Sequence, residues 1–139
     1  MLTLLVPVDG SPGSSHAVNL VIKWYRDIGP VRIRLLHVLP PDDGIAIGLT
    51  HREADPANDP ADGTHALSSA RTVLDREGIP YDSDVKSGFV PSTIIQYGRT
   101  MDCNGIVMGT RGMGTTDALL GSIARQVIKL ADVPVTLVK

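Results

Sequence analysis

The sequence LTLLVPVDGSPG, residues 2–13, places a short apolar run directly before a turn. Leu2 to Val8 is almost continuously apolar, which is typical of a strand that is buried on both faces. The residues from Asp9 to Gly13 are turn formers. Because a strand buried on both faces needs helices on both sides of its sheet, this stretch predicts a parallel α/β fold.

The pattern of an apolar strand followed by a helix recurs along the rest of the chain. Apolar residues return at helical spacing from Ala17 to Trp24, from Ala66 to Leu74, after Pro91 and after Ser122. The segment from Tyr81 to Lys86 is polar, which suits a strand at the edge of a sheet. The predicted strands are Leu2 to Val8, Val31 to Leu39, Tyr81 to Lys86, Ile106 to Met108 and Val133 to Val138.

Strict alternation of strands and helices predicts a three-layer α/β sandwich, in which one parallel five-stranded sheet has helices on both faces. The whole chain, residues 1–139, is predicted to form one domain. In such folds ligands bind beyond the carboxyl ends of the strands. The candidate site therefore lies in the loops after Val8, Leu39 and Met108, of which the second is long and runs from Pro40 to Asp62.

Composition and charge exclude several classes of protein. With 13 basic and 15 acidic side chains, the chain has a formal net charge of -2 and no basic stripe for nucleic acid. The apolar run from Leu4 to Val8 follows no basic segment and ends at Asp9, so it is neither a secretory signal nor a membrane span. The single cysteine, Cys103, favours a reducing compartment. We therefore predict a cytoplasmic protein without nucleic-acid or membrane partners.

The strongest candidate for chemistry is the glycine-rich sequence GTRGMG, residues 109–114, directly after a predicted core strand. Glycine lets backbone N–H groups approach an anion closely, and successive N–H groups form a concave anion site. Gly121 and Ser122 follow at the predicted start of the last helix, whose N–H groups and positive dipole end favour a phosphate. Residues 109–114, Gly121 and Ser122 together are called the phosphate cradle below. The alternative is that the glycines only turn the chain and Ser122 only caps its own helix.

Two common phosphate motifs do not fit this segment. Gly109 and Gly114 have the spacing of a P-loop, but Thr115 stands where the lysine is required. The dinucleotide fingerprint fails at its third glycine, where Asp117 stands, and it normally follows the first strand rather than the fourth. The sequence therefore predicts neither a P-loop NTPase nor a dinucleotide cofactor. No paired metal-ligand spacing occurs among the four histidines and Cys103.

Further candidates lie at the ends of the first and second strands. The Asp9 carboxylate could accept hydrogen bonds from ribose hydroxyls or from an adenine amino group, although an Asx-type turn accounts for this residue equally well. His37 and Val38 end the second strand, where a backbone N–H and C=O could pair with the edge of a base. The alternative for Val38 is simple burial in the core.

These segments together resemble the universal stress protein family over essentially the whole chain. The resemblance rests on VPVDGS at residues 6–11, on His37 and Val38, on MGTRGMG at residues 108–114, and on Leu120 to Ser122 leading into the last strand. It implies a Rossmann-like α/β sandwich with strand order 3-2-1-4-5 and a homodimer paired through Val133 to Val138. An apolar strand at the edge of a sheet independently favours such pairing.

In nucleotide-binding members of that family, ATP lies across the point where the strand order reverses. The resemblance implies that Asp9 binds the adenine and ribose side, and that Val38 contacts adenine through its backbone. It also implies that Met108 and Gly109 line the path to the phosphates, while Arg111 adds positive charge. The nucleotide-binding residues implied in this way are Pro7, Val8, Asp9, Val38, Met108, Gly109, Arg111, Gly112, Gly121, Ser122 and Ile123.

The spacing within the phosphate cradle departs from the family pattern, because eight residues, 113–120, separate Gly112 from Gly121, one fewer than in the nucleotide-binding members. The first hypothesis is a dimeric stress-response protein that binds ATP, ADP or AMP, with or without magnesium. The second is a nucleotide-free dimeric interaction module. Because no histidine or carboxylate is evidently placed as a general base, the sequence predicts no enzyme. A slow ATPase or an adenylate-transferring protein stays a third alternative.

Overall fold

The computed structural model describes residues 1–41, 64–111 and 120–139. The strands are β1 (Thr3–Pro7), β2 (Arg32–Leu39), β3 (Asp82–Ser87), β4 (Gly105–Gly109) and β5 (Val135–Val138). The helices are α1 (Pro12–Asp27), α2 (Thr64–Glu77), α3 (Val90–Thr100) and α4 (Ser122–Leu130). None of the helices in the described ranges is long and apolar enough to cross a membrane. Most of the predicted loop from Pro40 to Asp62 lies outside the described residues.

The five strands form one parallel sheet in the order β3-β2-β1-β4-β5. This confirms the predicted fold class and the strand order 3-2-1-4-5. β1 pairs with β2 on one side, from Thr3 opposite Arg32 to Pro7 opposite Leu36, and with β4 on the other side. The strand order therefore reverses at β1 and β4, which is where folds of this kind open a crevice at their carboxyl edge.

Three strands are shorter than predicted. β2 begins one residue later, at Arg32, and the backbone pairing of β1 and β5 extends past their ends. Val8 lies outside β1, yet its N–H donates to the carbonyl oxygen of Leu36 at 2.8 Å. Pro134 precedes β5, yet its carbonyl oxygen accepts from the N–H of Ile106 at 2.9 Å. The apolar runs thus extend one residue or more beyond the regular ladder.

Helices cover both faces of the sheet and bury a separate apolar core on each. Val6 of β1 and Leu35 of β2 belong to the core under α1 and α2, whereas Leu5 and Leu36 belong to the core under α3 and α4. All of these side chains are fully buried. Because successive strand residues point to opposite faces, burial of both faces requires the continuous apolar run that predicted the fold.

The edge strand β3 is polar, as the sequence predicts, and a polar cluster ties it to α3. The Tyr97 hydroxyl donates to Asp84 Oδ2 at 2.6 Å, and Arg34 donates to the same hydroxyl at 3.4 Å. Tyr97 is only 4% exposed. Burial, assisted by the hydrogen bond to Asp84, raises the pKa of the Tyr97 hydroxyl to about 12. The hydroxyl is therefore held as a neutral donor against the sheet.

Candidate functional site

A cleft of about 390 Å³ opens at the carboxyl ends of β1, β2 and β4. Its sides are formed by the first turns of α3 and α4. This is the position that the sequence predicts, since Val8, Pro40 and Thr110, from the loops after three strands, all line it. The volume falls within the range of small-molecule sites, which is roughly 300–1,000 Å³.

The cleft brings together the site residues that the sequence predicts within the described ranges. One predicted residue, Gly112, lies outside the described residues, as does Gly114 of the phosphate cradle. The predicted residues that line the cleft are Pro7, Val8, Asp9, Val38, Met108, Gly109, Arg111, Gly121, Ser122 and Ile123.

Asp9 forms the turn that the sequence offers as its structural role, and it lines the cleft as well. Its Oδ1 accepts from the N–H of Ser11 at 2.9 Å and from the Ser14 hydroxyl at 2.8 Å. The Ser14 hydroxyl in turn accepts from the N–H of Asp9 at 2.9 Å. Gly10 completes the turn at φ +86°, in the left-handed region that favours glycine. The turn and the predicted binding role are compatible, because these bonds hold the carboxyl group at the cleft wall.

The amino end of α1 lies against the end of β4 through two glycines. A Cβ atom added to Gly109 would lie 2.8 Å from the Cα and carbonyl carbon of Gly13. A Cβ atom added to Gly13 would lie 2.6 Å from the carbonyl oxygen of Arg111. The two backbones are therefore in contact, with no room for a side chain between them. This contact positions the residues that follow β4 relative to the amino end of α1. The sequence interpretation treated Gly13 only as a turn former and did not predict its contact with the end of β4, whereas the structure places Gly13 in the first turn of α1.

The amino end of α4 points its first turn at the cleft. Ser122, Ile123 and Ala124 line the cleft, and the N–H groups of a first turn have no acceptor within their own helix. The capping residue is Gly121, with φ -68° and ψ 162°, and no side chain caps this helix. The alternative that Ser122 caps its own helix is therefore wrong, because Ser122 is already its first residue. The helix start predicted at Ser122 is confirmed.

Backbone hydrogen bonds join the end of β4 to the residue that precedes α4. Gly121 N–H donates to the carbonyl oxygen of Thr110 at 2.7 Å, and Thr110 N–H donates to that of Val138 at 3.1 Å. Arg125 adds a bond from its side chain to the carbonyl oxygen of Leu120 at 2.9 Å. The end of β4 and the start of α4 are thus fixed side by side, as a phosphate site built from both requires.

The two ends of the cleft differ in chemistry. The lining residues from β2 and α3 are mostly aliphatic, whereas those that follow β4 and begin α4 include glycines, Thr110, Arg111 and Ser122. Val90 and Ile94 of α3 belong to the apolar end and were missed by the sequence interpretation. Their place in the cleft could have been predicted, because a helix that follows the edge strand starts at the same carboxyl edge of the sheet as the predicted loops. The apolar lining residues of β1, β2, α3 and β4 are Pro7, Leu36, Val38, Val90, Ile94 and Met108, and those of α4 are Ile123 and Ala124.

His37 lies at the wall of the cleft, where β1 and β2 reach their carboxyl ends. Its Nδ1 is 2.8 Å from the carbonyl oxygen of Val8. Since the sequence interpretation used only the backbone at this position, the side-chain contact is a new feature. Within the described ranges no group of three His, Cys, Asp or Glu residues could hold a metal ion.

Comparisons with known proteins agree on one family. The family model described as "Universal stress protein family" matches residues 1–139. The chain is 30% identical to the universal stress protein Sll1654 of Synechocystis over 140 residues, which cover 98% of this chain and 84% of that protein. It is 28% identical to the universal stress protein MJ0531 of Methanocaldococcus jannaschii over 141 residues, which cover 98% and 81%.

Solved structures share the fold. The universal stress protein of Archaeoglobus fulgidus in complex with dAMP has a TM-score of 0.68 at 23% identity, and the match covers 100% of this chain and 98% of that one. A universal stress protein family protein of Arabidopsis thaliana with AMP bound has a TM-score of 0.73 at 19% identity, with 100% and 92% covered. At these identities the likeness shows the fold alone.

Proposed function

The chain belongs to the universal stress protein family, and from this premise we propose that it binds an adenine nucleotide in the cleft between β1 and β4. The observation that carries the proposal is the division of the cleft into an apolar end and an end rich in backbone N–H groups. A nucleotide has the same division, with a flat base at one end and phosphates at the other.

The apolar end suits a base. Val38, Val90 and Met108 offer apolar surface, and Val38 lies just past the last backbone hydrogen bond between β1 and β2. We propose that the Val38 backbone pairs with the edge of the adenine. The Asp9 carboxyl group, already held by its turn, accepts hydrogen bonds from the ribose hydroxyls.

The opposite end suits phosphate. The first turn of α4 supplies N–H groups and the positive end of a helix dipole, and the exposed Arg111 adds a positive charge. We propose that the phosphates lie between Gly109 and the amino end of α4. Two structural neighbours hold nucleotides of this class, dAMP and AMP.

We propose that the nucleotide is ATP, with or without magnesium. We also propose a cytoplasmic role in the stress response that depends on nucleotide binding and not on ATP hydrolysis. This extends the sequence argument that no residue is evidently placed as a general base for water. Slow hydrolysis would then be incidental to binding.

Nucleotide binding is tested directly on the purified chain. Denaturation followed by chromatography is expected to release bound AMP, ADP or ATP. Calorimetric titration of nucleotide-free protein with AMP, and with ATP in the presence and absence of Mg²⁺, is expected to show saturable binding. GMP serves as the control ligand, with weaker binding expected because its base edge presents different donors and acceptors. No released nucleotide, together with no heat up to millimolar AMP or ATP, would favour the nucleotide-free interaction module.

We also propose that the chain forms a homodimer through its last strand, Val133 to Val138. β5 is the edge strand next to β4, and all of its residues are only half-buried in the single chain. On the neighbouring helix, Ile128 and Leu130 are 43% and 45% exposed. An apolar edge of this kind is a liability that pairing with a second copy removes.

Sedimentation velocity at micromolar concentration is expected to give the mass of two chains. Thr136→Lys places a charge on the edge strand and is expected to shift the mass to that of one chain, since edge lysines oppose strand pairing. Thr100→Lys, the same change at an exposed position at the end of α3, is the matched control and is expected to stay dimeric. A single-chain mass for the wild type would count against the dimer.

A further inference from the structure

His37 makes a side-chain contact for which the proposed function gives no role. Its ring is half-buried at the cleft wall, with Nδ1 at 2.8 Å from the carbonyl oxygen of Val8. A carbonyl oxygen can only accept a hydrogen bond, so Nδ1 carries the proton. The imidazole is therefore a donor directed at the end of β1.

The contact lies where the ladder between β1 and β2 stops. The paired residues end with Pro7 opposite Leu36, and one more backbone bond follows, from Val8 N–H to Leu36 O at 2.8 Å. In a continuing parallel ladder, the Val8 oxygen would be the next acceptor and the N–H of Val38 its donor. Of the described residues, it is the His37 side chain and not the Val38 amide that makes a hydrogen bond to this oxygen.

This one bond fixes the relative position of two groups that would contact the ligand. Val8 directly precedes Asp9, and His37 directly precedes Val38. Because peptide units are planar and stiff, holding the Val8 carbonyl against the His37 ring restricts the distance between the Asp9 carboxyl group and the Val38 amide. The turn around Asp9 restrains the carboxyl group from the other side, through Ser11 and Ser14.

We propose that His37 is a positioning residue for the adenine and ribose end of the cleft, an inference that rests on the proposed function. The imidazole takes the place of the next hydrogen bond of the β1–β2 ladder at the Val8 oxygen, so the Val38 amide is left to the base. The effect is indirect, because His37 acts through Val8 and Val38.

Two substitutions at His37 test whether the hydrogen-bond donor or only the bulk of the imidazole ring is needed. In His37→Asn the side-chain Nδ2 stands two bonds from Cβ, as Nδ1 does in histidine, so the bond to the Val8 oxygen can be kept. His37→Leu has a similar size and no donor. We expect His37→Leu to bind AMP about five- to tenfold more weakly than wild type, which is the value of one ordinary hydrogen bond. His37→Asn is expected to stay within about threefold of wild type.

A second ligand distinguishes positioning from a general loosening of the fold. Inorganic pyrophosphate would use only the phosphate end of the cleft, at Gly109 and the amino end of α4, so its affinity is expected to be the same in wild type and in His37→Leu. Adenosine is expected to lose affinity by the same factor as AMP. The nitrogen NMR spectrum of the ligand-free wild type is expected to show that Nδ1 of His37 carries a proton. Should His37→Leu not fold, His37→Gln, whose donor lies one bond too far from Cβ, takes its place with the same expected loss.

The results distinguish failure of the proposed function from failure of the inference about His37. No AMP binding by the wild type overturns the proposed function and the inference with it. AMP binding by the wild type, with equal affinity in His37→Leu, overturns the inference alone. Equal losses for AMP and pyrophosphate also overturn it, because they show a general structural effect. Weaker binding of AMP and adenosine, rescued by asparagine and absent for pyrophosphate, supports it.

Discussion

Gly109→Ala is expected to lower the free energy of unfolding by about 1–3 kcal/mol, the usual cost of forcing an extra methyl group into a close-packed position. The added Cβ would lie 2.8 Å from the Cα and carbonyl carbon of Gly13 and 2.9 Å from its oxygen. These are backbone atoms in the first turn of α1, which cannot rotate aside as a side chain can. Either α1 or the end of β4 must therefore move.

The same change is expected to weaken AMP binding by about tenfold or more, because hydrogen bonds to phosphate tolerate displacements of only a few tenths of an ångström. Chemical denaturation measures the first effect and calorimetric titration the second. In thermal unfolding the loss corresponds to roughly 3–10 °C.

Gly98→Ala is the matched control for this substitution. Gly98 lies inside α3, and its nearest atom to an added Cβ is Leu5 Cδ2 at 3.4 Å, the end of a flexible side chain. Alanine is favoured over glycine in a helix interior by about 1 kcal/mol, so this variant is expected to match or exceed the wild type in stability. If Gly109→Ala were as stable as Gly98→Ala and bound AMP normally, the contact between α1 and β4 would not be what positions the proposed phosphate site.

The fold could be predicted because its determinants are local and periodic. Burial of Leu5 and Val6 on opposite faces requires a continuous apolar run in β1, and the polar residues of β3 mark the edge of the sheet. Strand bounds were less accurate, because pairing weakens gradually. Val8 keeps one backbone bond to β2 after the regular ladder has ended.

The site could be predicted only where its residues belong to a local motif. Gly121 and Ser122 stand out because they mark the start of a helix, and Asp9 because it begins a turn. Gly13 was missed, since its role is a contact with Gly109, which is distant in the sequence, and such a contact leaves no local pattern. The contact of the His37 side chain was missed for the same reason, as it depends on where β1 and β2 separate.

Ser122→Pro is expected to weaken AMP binding by about 10- to 100-fold while leaving the fold intact. Ser122 is the first residue of α4, where proline is tolerated because the N–H at this position has no acceptor within the helix. The preceding Gly121 has φ -68° and ψ 162°, which is the conformation required before proline. The substitution therefore removes one N–H from the proposed phosphate site at little cost to the helix. A hydrogen bond to a charged group contributes about 1.5–3 kcal/mol, which gives the expected range of affinities.

Ser122→Ala is the control, because it removes the hydroxyl group and keeps the N–H. It is expected to bind AMP within about threefold of wild type if the backbone carries the contact. Adenosine, which has no phosphate, is expected to bind wild type and Ser122→Pro equally, and calorimetry on both ligands measures the difference. Undiminished AMP binding by Ser122→Pro would place the phosphate elsewhere. A loss in Ser122→Ala as large as in Ser122→Pro would assign the contact to the hydroxyl group, so the two variants decide between backbone and side chain at the amino end of α4.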